Sequence, residues 1–231
     1  MGKVIVTSGS SITPLIKCQG VAWTYNEPTI WYEFVYDSAK FLKRKGLFNV
    51  FISNGYIERE PFEQLSPFID AVNIDIKAFS DEFYSDISRA HLKPVLETCK
   101  RARDLGVHIE ISYLLVPPLN SSSADIQKLS KWVIANLGPN TPLHFLRFFP
   151  AHRLTDVPTT TREALLSAKR IAKMEGLNNV YINNLQGGRY QDTYCTQCGE
   201  ILVHREDFHT ILNRVSNGKC PKCHSEVLMI G

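Results

Sequence analysis

Two sets of residues in this sequence could do chemistry. The first lies near the C-terminus, where residues 194–224 read YCTQCGEILVHREDFHTILNRVSNGKCPKCH. Cys195-x2-Cys198 and Cys220-x2-Cys223 are separated by 21 residues. A two-residue spacer lets one tight turn present both thiolates to a tetrahedral ion, and two such turns make a zinc ribbon. Four thiolates close the coordination sphere, so the expected Zn is structural; a rubredoxin-like iron site or two redox dithiols are the alternatives. A ribbon of about 35 residues buries too little core to fold alone, which makes the ion a large part of its stability. Gly199 supplies the relaxed turn after the first pair. His204, His209 and His224 are read as surface residues, and Cys18 and Cys99 as ordinary buried thiols.

The second set begins at VAWTYNEPTIWYEF, residues 21–34, where Glu27 stands among Trp23, Tyr25, Ile30, Trp31 and Tyr32. A carboxylate in apolar surroundings loses hydration unless a polar or cationic group meets it. Further polar residues recur where strands are expected to end: Asn26 beside Glu27, then Ser53, Asn54 and Gly55, then Asp75 and Lys77, then Arg147 and His152. Each has a plainer reading. Asn54-Gly55 suits a simple turn, since both accept positive φ. Asp75 and Lys77 could be a solvated pair, and His152 a loop histidine.

The elements that must position these groups alternate. Strands are expected at 21–25, 49–53, 71–79, 108–117, 142–150 and 178–185. Helices are expected at 29–45, around 62–68, from 80 to 106 with a break, at 125–138 and at 159–176. Strand and helix in turn, without hairpin signals, imply a parallel sheet. Six strands fit an α/β fold, either a partial (β/α) barrel or an open doubly wound sheet, and both bind ligands at the C-terminal ends of the strands. MGKVIV, residues 1–6, offers one further strand. The expected division is a barrel domain over 1–190 and a ribbon over 191–231.

Composition sets the class. The 231 residues are 44% hydrophobic and 21% charged, with a formal charge of +3, ordinary for a globular protein and too weak to indicate a nucleic-acid or membrane surface. No apolar run approaches the roughly 20 residues of a bilayer span, and the start has no signal-peptide pattern. A cytoplasmic protein is expected, where paired cysteines point to metal. The ribbon's Arg205, Arg214, Lys219 and Lys222 lack an aromatic stacking platform, which argues against nucleic acid.

TYNEP, IWYEF, SNGYI, NIDIKAF and LRFFPAHRL, followed by the four-cysteine ribbon, together resemble the radical S-adenosylmethionine (SAM) enzymes related to pyruvate formate-lyase activating enzyme. The similarity is greatest to the AmmeMemoRadiSam-system branch, and it runs in order from Cys18 to Gly231. The resemblance implies a radical SAM-type partial barrel. It also implies that Asn26-Glu27-Pro28 matches the motif receiving the SAM amino group, that Ser53-Asn54-Gly55 and Asp75-x-Lys77 match further SAM-binding positions, and that His152 lies near the adenosine end. By the same resemblance a [4Fe-4S] cluster reduces SAM to a radical that abstracts hydrogen from a substrate, such as a protein partner.

That cluster takes three thiolates in a C-x3-C-x2-C loop, and no such spacing occurs in the sequence. Ile52 and Ser112 also depart from the family pattern, where an acid and an Arg can stand. Two readings follow. One is a radical SAM enzyme missing its N-terminal cluster-binding part. The other is a non-catalytic SAM-binding or zinc-ribbon scaffold protein.

Overall fold

A computed structural model describes residues 3–7, 18–206 and 209–227. The chain divides into two compact units, one ending at Tyr113 and the other beginning at Leu114.

The first unit is built on five parallel strands: β1 (Lys3–Thr7), β2 (Cys18–Trp23), β3 (Phe48–Ser53), β4 (Ala71–Asp75) and β5 (His108–Leu115), the last running into the second unit. Each strand pairs with the next in chain order. A doubly wound sheet reverses its order at a switch point, and this one does not, so the barrel-type reading holds here. The helices between the strands are α1 (Tyr32–Arg44), α2 (Arg59–Leu65), α3 (Asp81–Phe83) and α4 (Leu92–Asp104). Their buried stripes recur at helical spacing: Val35, Ala39 and Leu42 on α1, and Val95, Cys99 and Ala102 on α4. They face the apolar side of the strands, which carries Phe51, Val72, Ile74, Ile109 and Ile111.

Several expected boundaries move, two of them at strand ends that carry the predicted site residues. The first strand ends at Trp23, because Tyr25 turns into the left-handed region at φ 72°. The expected strand 71–79 stops at Asp75, where Ile76 N–H donates to Ser112 O and Lys77 N–H to the Tyr84 hydroxyl. The expected break after residue 80 is a π-helical turn at Tyr84–Ser88 that ends in left-handed Arg89.

The second unit holds α5 (Ser123–Leu137), β6 (Leu143–Arg147), α6 (Arg162–Glu175) and β7 (Val180–Asn183), with β6 and β7 parallel. Ser122 caps α5 and Thr161 caps α6, each by accepting a backbone N–H three residues on. A separate antiparallel sheet follows, in the order β10 (His209–Asn213), β9 (Ile201–Glu206), β8 (Thr193–Tyr194).

Gly55 turns the chain after β3 at φ +75°, and a Cβ there would lie 2.8 Å from Ile74 Cγ2 and 3.1 Å from Val95 Cγ1. Left-handed backbone and overpacking together predict that Gly55→Ala destabilises by about 2–4 kcal/mol. The urea midpoint measures this, and an unchanged midpoint would refute the fit.

Candidate functional site

Glu27 caps the 3-10 turn Pro28–Trp31, just beyond β2. Its Oε1 accepts from Thr29 N–H at 3.1 Å, Thr29 Oγ1–H at 2.7 Å and Ser53 Oγ–H at 2.7 Å. Its Oε2 accepts from Asn54 N–H at 2.8 Å. Four neutral donors, not a cation, therefore meet this carboxylate. The expected apolar surroundings are also absent. Tyr25 and Ile30 are 81% and 78% exposed, while Trp23 packs edge-on against Trp31 and Phe34. A carboxylate offers about four acceptor sites, two per oxygen, so Oε1 is saturated and Oε2 has room for one more donor.

The same bonds organise the end of β3. Ser53 is buried, and its hydroxyl donates to Glu27 while accepting from Gly55 N–H at 3.0 Å. Asn54 Oδ1 accepts from Tyr56 N–H at 2.8 Å, fixing the turn. Asn54-Gly55 is thus a turn, as the plain reading had it, and also a partner of Glu27.

At the end of β4, Lys77 Nζ lies 2.9 Å from Asp75 Oδ2, with the two side chains 41% and 33% exposed. The buried Tyr84 hydroxyl holds the Lys77 backbone, and burial raises that phenol well above its ordinary pKa. Beside Asp75, the Ser112 hydroxyl donates to Asn73 Oδ1 at 2.8 Å. Asn26, Glu27, Ser53, Asn54, Gly55, Asp75 and Lys77 all belong to the first unit, at or just beyond the C-terminal ends of β2, β3 and β4. His152 is an exposed turn residue of the second unit with φ 53°, and Arg147 donates to Thr160 O there. Thr29 and Tyr84 were not among the residues singled out from sequence. Thr29 had a local signal, because an acceptor side chain two residues before a Thr in a Pro-led turn can cap it.

In the ribbon, the four cysteine Sγ atoms lie within 4.8 Å of one another. Cys195–Cys223 and Cys198–Cys220 approach to 3.6 and 3.7 Å. Four thiolates about 2.3 Å from a tetrahedral ion have edges of about 3.8 Å, so the cage is sized for one ion. The two knuckles share one pattern. Cys195 N–H donates to Glu200 O and Gly199 N–H to Cys195 O; Cys220 N–H donates to Ser225 O and His224 N–H to Cys220 O. Gly199 and His224 sit at matching positions, both left-handed, at φ 72° and 59°. The Ser225 hydroxyl lies 3.3 Å from Cys195 Sγ and 3.2 Å from Cys223 Sγ. Its donation, with backbone N–H groups, draws Cys195 down to about 6 and lowers Cys223 also. Cys198, despite the Glu200 N–H, is pushed up to about 12 by desolvation and crowding by the other three thiols. His204 is not a surface residue: it is half-buried and bonds the buried Asp192 through Nδ1 at 2.8 Å. That carboxylate raises it above the ordinary imidazole range.

Two outcomes are expected. Glu27→Gln places an amide donor against donors and destabilises by about 1–3 kcal/mol, read as a lower denaturation midpoint. His224→Gly removes a left-handed penalty, so ribbon unfolding shifts upward by about 1 kcal/mol or stays level, and a downward shift would contradict the knuckle geometry.

The family described as the radical SAM superfamily matches residues 13–133. An uncharacterized protein of Methanocaldococcus jannaschii is 45% identical over 213 residues, covering 91% of this chain and 63% of that protein. The pyruvate formate-lyase-activating enzyme of Clostridium pasteurianum is 28% identical over 118 residues, 51% of this chain and 49% of that enzyme. The chain thus spans about two-thirds to half the length of these relatives. A solved domain of the Bacteroides vulgatus pyruvate-formate lyase-activating enzyme shares the fold at TM-score 0.61 and 19% identity, covering 73% of this chain and 99% of that domain. Streptococcus suis SuiB bound to S-adenosylmethionine does so at TM-score 0.59 and 12% identity, over 74% and 40%. With its parallel sheet, its strand-end turns and a family match over more than half its length, the chain belongs to the radical SAM superfamily.

Proposed function

We propose that this chain binds S-adenosylmethionine at the C-terminal ends of β2, β3 and β4, through Asn26, Glu27, Ser53, Asn54, Gly55, Asp75 and Lys77. The observation that carries this reading is the Glu27 carboxylate. It ties the turn after β2 to the end of β3 and keeps acceptor room at Oε2. A methionine ammonium suits Oε2, and a methionine carboxylate suits the Lys77 ammonium, which Asp75 holds at the next strand end. Opposite charges set at the ends of β2 and β4, on either side of β3, match a zwitterion. Bound SAM supplies a sulfonium with reactive carbon–sulfur bonds; the residues named here bind and orient it.

The thiols outside the ribbon do not fit a [4Fe-4S] cluster. Cys18 opens β2, at the end of the strand away from Glu27, and Cys99 is fully buried in α4 with its thiol pushed up by burial. No step through a cluster is derived from this chain. Its place is the SAM-binding and ribbon portion of an activating-enzyme-like radical SAM protein; the order of its motifs from TYNEP to the four-cysteine ribbon supports the AmmeMemoRadiSam-system branch. The two-cysteine count outside the ribbon favours a second reading, a SAM-binding scaffold without radical chemistry. A protein or peptide partner is in keeping with SuiB, solved with its precursor peptide SuiA. The four-thiol cage, a module within 191–231, takes zinc, and a reducing cytoplasm suits it. No helix among the described residues is long and apolar enough to cross a membrane.

Calorimetric titration of the zinc-loaded chain with SAM tests the central assignment. Saturable binding is expected, weakened roughly ten-fold or more by Lys77→Ala. No heat at millimolar SAM would sink it. Metal analysis after anaerobic reconstitution with iron and sulfide tests the rest. The expected result is about one tightly held zinc and no iron, with Cys198→Ser losing the zinc while the helical circular dichroism persists. Four irons per chain would overturn the cluster argument and favour the full enzyme.

A further inference from the structure

The sequence HREDFH, residues 204–209, crowds metal-ligand side chains into the β9–β10 hairpin, away from the four cysteines. His204 and Glu206 are two apart on β9, hence on one face of the strand. His209, on β10, is the direct antiparallel partner of Glu206, which puts it on that face too. Behind this face stands Asp192, its side chain wholly buried, with Oδ1 accepting from His204 Nδ1 at 2.8 Å and from Arg205 N–H at 3.1 Å. Asp192 Oδ2 is buried with no hydrogen-bond partner among the described residues.

This bond fixes the histidine tautomer. With Nδ1 donating to Asp192, the neutral ring turns an Nε2 lone pair toward Glu206 Oε1, 3.4 Å away. Two lone-pair atoms facing each other require a cation between them, either a proton or a metal. The distance is long for a charge-assisted N–H···O bond, which runs about 2.7–2.9 Å. It equals the nitrogen–oxygen edge of a tetrahedral zinc site, about 3.3–3.4 Å for bonds of about 2.0–2.1 Å. A carboxylate behind a ligating histidine is also the usual support that orients the ring and raises its basicity.

We propose that His204, Glu206 and His209 form a second metal site, on the β9–β10 hairpin, for a divalent transition ion of the zinc class, with Asp192 as the positioning carboxylate behind His204. Two imidazoles and one carboxylate suit such an ion and leave a coordination position open. Among the described residues only the four cysteines already gather three or more ligand atoms. Here His204 and Glu206 are preset, and the exposed His209 side chain closes the set by rotating about its χ angles. The ion would clamp the two strands of the hairpin next to their connection.

Cobalt(II) titration of the full chain, with the cysteine site already filled by zinc, tests this site independently of SAM binding. About one further cobalt is expected, with ligand-field bands of a nitrogen–oxygen set and no thiolate-to-cobalt charge-transfer band. His209→Ala and Glu206→Gln change exposed side chains, so the fold is not at stake, and each should weaken that binding roughly ten-fold or more. Asp192→Asn should weaken it about 10–100-fold. No second ion up to millimolar cobalt would mean that a proton alone fills the gap. A second ion indifferent to His209→Ala and Glu206→Gln would lie elsewhere. Either result overturns the proposal.

Discussion

One carboxylate organises the functional end of the first unit. Glu27 follows β2 directly, yet half of its hydrogen bonds reach to Ser53 and Asn54 at the end of β3. Neighbouring parallel strands are joined by ladder bonds along their length, but their ends diverge into loops that nothing in the ladder restrains. Here the loops are cross-linked by an ionised acceptor, whose bonds are roughly twice as strong as neutral ones. The Ser53 hydroxyl passes the restraint on to Gly55 N–H, so one network sets both turns. A site that must hold a charged ligand to within a fraction of an ångström needs this kind of support.

Much of this was legible in the sequence, and the failures have physical causes. The alternation in 71–75 and the stripes on α1 and α4 are local periodicities, and they locate the strands and helices well. The cysteine pairs were readable for the same reason, since two-residue spacers specify knuckle turns without long-range information. Glu27 was singled out as a residue needing a polar or cationic partner, and polar donors meet it, but which ones was not legible. Its bonds to Ser53 and Asn54 depend on which strands are neighbours, and Tyr25 and Ile30 point outward because the chain turns left-handed at Tyr25. The end of β4 was set too late for a similar reason. A hydroxyl from Tyr84, seven residues on, takes the Lys77 N–H that a longer strand would have used. His204 looked like a surface residue because its partner, Asp192, lies twelve residues back across the ribbon sheet.

The first unit and the ribbon solve the same problem by different means. The first relies on an apolar layer between helices and sheet, and spends polar groups only at the strand ends. The ribbon has a small apolar set, Leu202 and Val203 with Val215 and Val227 against the buried Cys195 and Cys220. Its order rests on two matched knuckles, whose four thiols are gathered within 4.8 Å of one another. Under the proposed function, SAM therefore belongs to the first unit's strand ends and not to the ribbon.

The most direct test of the Glu27-centred account is the amide spectrum of the 15N-labelled chain as S-adenosylmethionine is added. The account predicts that shifts concentrate at Asn26, Glu27, Ser53 to Gly55 and Asp75 to Lys77, and leave the ribbon amides unmoved. Shifts confined to the ribbon, or none at saturating ligand, would contradict it.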